Sequence, residues 1–89
     1  MVRQRVSIIG RVQGVGFRAT ARRLAERFPV VGWVRNEPDG SVVLEVQGLE
    51  PEIEAFLGSL RAEMGRYIRS SDAIQVPLDS EEDSFEIRR

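Results

Sequence analysis

The chain predicts an α+β sandwich of βαββαβ order, and three observations carry that reading. Apolar residues alternate with a period near two in several short stretches, as a half-buried strand requires. Two other stretches repeat apolar residues every three to four positions, the period of one helix face. Gly14 and Gly16, Pro29, and the run Asn36 to Gly40 punctuate the chain between these stretches. Eighty-nine residues leave room for one small domain, read as 1–89.

Taking the elements in order, Val2, Gln4, Val6 and Ile8 alternate with Arg3, Arg5, Ser7 and Ile9 as a first strand expected to end near Val12. A glycine-bearing loop, Gln13-Gly14-Val15-Gly16, follows, and then Phe17, Ala21, Leu24, Ala25 and Phe28 line one helix face. Pro29 cannot continue the hydrogen-bond ladder, so this helix is expected to stop near Phe28. Val30 to Arg35 reads as the second strand, and the turn residues Asn36 to Gly40 make it a hairpin with a third strand, Ser41 to Gln47. That strand puts Val42, Leu44 and Val46 on one face and Val43, Glu45 and Gln47 on the other. Pro51 suits a first helical turn, and Ile53, Phe56, Leu57, Leu60 and Met64 form the second apolar stripe, expected to run to about Glu63. Tyr67 to Pro77 holds a fourth strand and Ser84 to Ile87 a short fifth, with Asp79 to Asp83 between them as a solvated acidic turn.

This order is that of the ferredoxin-like sandwich: an antiparallel sheet of four to five strands with two helices packed on one face. A right-handed crossover makes strands one and two run the same way, with strand three antiparallel between them. The loop after strand one and Asn36 at the end of strand two are therefore expected to meet at one edge, the place where such folds recurrently hold ligands.

Composition narrows the chemistry available there. The chain has no Cys, His or Lys, and all 13 basic residues are arginine. This removes thiolate and histidine nucleophiles, Ser-His-Asp triads, His or Cys zinc sites, disulfides, Schiff bases and a Walker-type phosphate lysine. Arginine, carboxylates, hydroxyls, amides and backbone N–H groups remain. Residues 1–35 carry eight Arg against Glu26 alone, whereas residues 36–89 carry five Arg against 13 acids. The two halves interleave in so small a fold, so a nucleic-acid surface is not expected. Nor does strand one or three carry the aromatics that an RNA-recognition sheet needs. No transmembrane span or signal peptide is read, and the expected setting is cytoplasmic, with a monomer in view.

A glycine turn opening a helix presents unsatisfied N–H groups and partial positive charge to an anion. Arg18, just inside the helix, offers a guanidinium fork to the same phosphate. The run Gly10-Arg11-Val12-Gln13-Gly14-Val15-Gly16-Phe17-Arg18 resembles the first signature of the acylphosphatases, G-x-V-Q-G-V-x-F-R, with every fixed position filled. Gly32-Trp33-Val34-Arg35-Asn36-Glu37-Pro38-Asp39-Gly40-Ser41-Val42 is similar to the second, G-W-V-x-N-x-x-D-G-x-V, at the family's spacing.

The resemblance implies hydrolysis of a carboxylic–phosphoric mixed anhydride to a carboxylate and inorganic phosphate, with no metal and no cofactor. It makes Arg18 the phosphate-binding arginine, Asn36 the residue that positions water, and the backbone of Gln13, Gly14, Val15, Gly16, Phe17 and Arg18 the phosphate cradle. The expected partners are a small acyl phosphate, and inorganic phosphate or sulfate at the same site. Phe17 and Trp33 are read as packing residues, and Arg22, Arg23 and Arg27 as ordinary exposed arginines. Two departures from the family stand out: Glu37 follows Asn36, which would put a carboxylate near the phosphate, and Met64 to Ser71 lacks the Gly-Pro-Pro-like turn of bacterial relatives. The alternative is a non-catalytic phosphate- or ligand-binding module of the same fold.

Overall fold

The computed structural model describes residues 1–89 and follows the expected order: β1 (Val2–Gly10), α1 (Phe17–Ala25), β2 (Val31–Asn36), β3 (Val42–Gly48), α2 (Glu50–Met64), a 3-10 turn (Gly65–Tyr67), β4 (Ile68–Val76) and β5 (Phe85–Arg88). The strands form one sheet in the order β4-β1-β3-β2-β5. β1 pairs antiparallel with β3 and β4, and β3 pairs antiparallel with β2, so β1 and β2 run the same way on either side of β3. β5 departs from an all-antiparallel sheet. It lies parallel to β2, with Gly32 opposite Phe85 and Arg35 opposite Arg88, which makes the sheet mixed. The return from β4, at the opposite edge, delivers β5 in this direction, and strand alternation alone carries no sign of it.

Three boundaries move from their expected places. β1 stops at Gly10, where the register with β4 shifts between Ile9 and Gly10. α1 ends at Ala25, because Arg27 and Phe28 donate to Leu24 and Ala25, three residues back, at 3.0 and 3.2 Å. The residue before a proline is driven out of the helical region, and the chain closes in this tighter turn ahead of Pro29. The run that lacks the Gly-Pro-Pro-like turn forms the 3-10 turn after α2.

One core lies between the sheet and the two helices. Phe17 and Leu24 of α1 and Ile53, Phe56 and Leu60 of α2 are buried against Val6, Val34, Leu44 and Val46 of the strands. Phe56 sits at its centre, with Phe28 and Phe85 ring centroids at 6.4 and 5.5 Å. Large side chains buried this way each contribute about 1.5–3 kcal/mol, which anchors α1 over the strand ends that flank its N-terminus.

The opposite sheet face is closed by charge. Arg3, only 3% exposed, donates to Glu45 at 2.7 Å, to Gln47 at 3.1 Å and to both carboxylate oxygens of Glu82 at 2.7 and 3.1 Å. Arg5 donates to the other Glu45 oxygen at 2.8 Å. The acidic segment expected to be a solvated turn is therefore partly a strap: Glu82 caps Arg3, and Asp79 exchanges hydrogen bonds with the Gln47 side chain at 2.8 and 2.9 Å. A buried guanidinium needs partners on every side, and the only carboxylate that approaches from outside the sheet is Glu82. Trp33 packs beside this network, with the guanidiniums of Arg35 and Arg88 at 4.8 and 4.9 Å from its ring centroid.

Candidate active site

The β1–α1 loop is built to leave amides free. Gly14 and Gly16 hold φ of 77° and 79°, a left-handed conformation that costs an L side chain about 1–2 kcal/mol. Gly16 caps α1 with no side chain to accept its first N–H groups. None of the backbone N–H groups from Gln13 to Ala19 finds an acceptor within the protein. Together with the dipole of α1, these amides form a patch of partial positive charge at the sheet edge.

Arg18 and Asn36 meet at this edge. With Gly14, Gly16 and Phe17 they line one cavity of about 200 Å³. Arg18 is half-buried and forms no ion pair, unlike Arg3, Arg5, Arg23, Arg35 and Arg88. Asn36 lies opposite Val42 at the end of β2, on the helix-covered face of the sheet. Its side-chain Oδ1 is the one buried side-chain polar atom without a hydrogen-bond partner. A buried acceptor left unmatched costs about 1–3 kcal/mol, and because Asn36 lines the cavity beside Arg18 this atom points to a role toward something bound there. No carboxylate side chain lines the cavity.

Of the other expected cradle residues, Phe17 is buried at the cavity floor, Val15 packs against the core and Gln13 turns its side chain away from the cavity. Sequence reasoning assigned Gln13 a backbone role only, yet its Nε2 donates to the carbonyls of Glu37 and Ser41 at 2.8 and 2.9 Å. One side-chain amide thus ties the loop to the β2–β3 hairpin, immediately beside Asn36. The Glu37 carboxylate is drawn to Arg35 at 2.9 Å and lies outside the cavity lining, which removes the expected repulsion of a bound anion.

Ile87 and Arg89 complete the cavity wall and were not anticipated. They follow from β5 lying parallel to β2, which carries residues 87 and 89 along the face that holds Val34 and Asn36. Phe17 and Trp33 are both buried, as their reading as packing residues requires.

Comparison with known proteins bears on the family and the fold. The Acylphosphatase family model matches residues 4–87. An acylphosphatase of Oceanobacillus iheyensis is 38% identical over 86 residues, covering 94% of each chain. One from Nitratidesulfovibrio vulgaris is 42% identical over 94 residues, covering 99% of this chain and 91% of that protein. The crystal structure of acylphosphatase from Bacillus subtilis superposes with a TM-score of 0.88 at 26% identity, covering 100% of both chains. With two ungapped signatures, a family model that spans residues 4–87, a matching fold and relatives that align over nearly the whole length, the chain belongs to the acylphosphatase family.

Proposed function

We propose that this acylphosphatase hydrolyses small acyl phosphates without a metal ion, using Arg18 and the amides of residues 13–18 to hold the phosphoryl group and Asn36 to orient the attacking water. The observation that carries the reading is the unmatched Oδ1 of Asn36, a residue that lines the same cavity as the unpaired Arg18 and the glycines of the free-amide loop.

The chemistry suits this set of groups. The leaving group is a carboxylate whose conjugate acid has a pKa of about 4, so it departs as an anion and no general acid is required. What remains is to place the phosphoryl group in line with a nucleophile and to stabilise charge on its equatorial oxygens, which a guanidinium and converging amides do. Asn36 cannot accept a proton as a base, but its Oδ1 accepts a hydrogen bond from a water and fixes one lone pair toward phosphorus. As the water oxygen bonds to phosphorus, the bond from phosphorus to the carboxyl oxygen breaks. The water proton passes to a phosphate oxygen, and the products are a carboxylate and inorganic phosphate. A divalent ion such as Mg²⁺ takes several oxygen ligands, chiefly carboxylates, and no Asp or Glu side chain lines the cavity. The cavity is complete within one chain, which supports action as a monomer, and a cytoplasmic setting belongs to the same reading.

The test is phosphate release from acetyl phosphate in EDTA, with inorganic phosphate as a competing ligand. Asn36→Ala is expected to lose about a hundredfold in kcat while keeping its phosphate inhibition constant. Arg18→Ala is expected to lose both. Full turnover by Asn36→Ala would overturn the assignment, and tight phosphate binding by a wild-type protein with no turnover would point to the non-catalytic module.

A further inference from the structure

Arginines on the outer sheet face are neutralised by carboxylates, whereas those at the end of β1 are not. The 3-10 turn Gly65–Tyr67 and the start of β4 run beside the end of β1, with Gly10 paired to Ile68 and the Arg11 N–H donating to the Tyr67 carbonyl at 2.9 Å. This brings Arg11 together with Arg66 and Arg69, more than fifty positions later in the chain. The three line a surface cavity of about 450 Å³ with Tyr67, and no carboxylate lines it. None of the three guanidiniums forms an ion pair. Arg66 is also oriented: its Nη2 donates to the Tyr67 hydroxyl at 2.8 Å, and its Cζ lies 4.8 Å from that ring's centroid.

Three unneutralised like charges around one concavity raise the local potential, and they do so in a chain with 14 acids against 13 bases. Guanidinium forks match phosphate oxygens in pairs. A cavity of this size exceeds the catalytic one and falls within the range of small-ligand sites. We propose that this cavity is a second anion site, separate from the catalytic one, which takes an anion bearing two or more linked phosphate groups. Each phosphate meets one or two of Arg11, Arg66 and Arg69, and Tyr67 holds the middle of the cluster in place. A single phosphate leaves part of the cluster unmatched, so the chain of phosphates is what the geometry selects.

Inorganic tripolyphosphate is the probe, titrated calorimetrically at constant ionic strength. Arg18→Ala, which disables the catalytic cavity, is expected to bind it with an affinity within threefold of wild type. Arg66→Gln combined with Arg69→Gln is expected to weaken binding at least tenfold while leaving acetyl phosphate turnover unchanged. Arg22→Gln with Arg27→Gln, which removes two exposed charges elsewhere, is expected to change binding by less than twofold. The proposal is overturned if tripolyphosphate does not bind, if binding disappears with Arg18→Ala, if both double variants weaken it equally, or if the Arg66/Arg69 variant loses turnover. The Arg18→Ala arm keeps this result independent of whether the catalytic assignment holds.

Discussion

Replacing Gln13 with alanine should damage turnover far more than it damages the fold. The side chain donates both Nε2 hydrogens, one to Glu37 O and one to Ser41 O. Each of those carbonyls also accepts a backbone bond inside the hairpin, from Gly40 N at 3.1 Å and Glu37 N at 2.9 Å. Losing Gln13 therefore strands no acceptor, and both bonds lie at an exposed site. The loss should amount to about 0.5 kcal/mol per bond, or about 1 kcal/mol in all. For a domain of this size that lowers Tm by about 4–8 °C. Turnover is another matter, because Asn36 immediately precedes Glu37 and the Gln13 amide is what holds the hairpin at its distance from the phosphate loop. A misplacement of about 1 Å can cost about a hundredfold in rate. Steady-state hydrolysis of acetyl phosphate by Gln13→Ala should show kcat reduced 10- to 100-fold, while the inhibition constant of phosphate, which the proposed function assigns to the loop amides and Arg18, stays within threefold. Gln13→Glu should be worse than alanine, since a carboxylate would face two carbonyl oxygens. A Gln13→Ala protein whose kcat is within twofold of wild type, or whose phosphate affinity falls in step with kcat, refutes a positioning role.

Two further outcomes concern the fold. Burial pushes the Glu45 carboxyl up, but hydrogen bonds and charge from Arg3 and Arg5 outweigh it and hold its pKa below the ordinary 4.5. The stability this pairing contributes is present above pH 4.5 and is lost as pH falls through the lower folded value. Glu45→Gln should therefore cost about 1.5–3 kcal/mol at pH 7 and progressively less in acid; denaturant titrations giving the same cost at both ends would rule this out. The Gly32 backbone runs so close to β3 that an added Cβ would overlap the Glu45 carbonyl, whereas a Cβ at Gly58 in α2 meets nothing within 4 Å. Gly32→Ala should cost about 3 kcal/mol or more in thermal or chemical unfolding, and Gly58→Ala should gain about 0.5–1 kcal/mol; a tolerated Gly32→Ala would contradict the close strand approach.

Much of this molecule was legible in one dimension because short-range rules govern it. The apolar stripes of Phe17 to Leu24 and Ile53 to Met64 mark helices whatever surrounds them, and the glycines at 14 and 16 mark a turn opening a helix before any partner is known. The crossover rule then places Arg18 and Asn36 at one edge, and the structure brings them to one cavity. Its floor residue Phe17 and its glycines were readable on the same grounds. The rest depends on contacts between segments far apart in the chain, and local periodicity is silent about those. Arg3 reads as an exposed strand residue until Glu82, 79 positions later, is folded over it. Gln13 reads as one more loop residue until the hairpin carbonyls arrive beneath its amide, and Ile87 and Arg89 join the cavity only because β5 pairs parallel to β2. Residue type and spacing therefore determined the elements and the chemical groups at the site, while tertiary packing decided which charges are neutralised, which amides clamp and which remain free for an anion. The physical reason is that backbone propensity acts over a few residues, whereas burial and charge pairing act between surfaces that exist only once the chain has closed on itself.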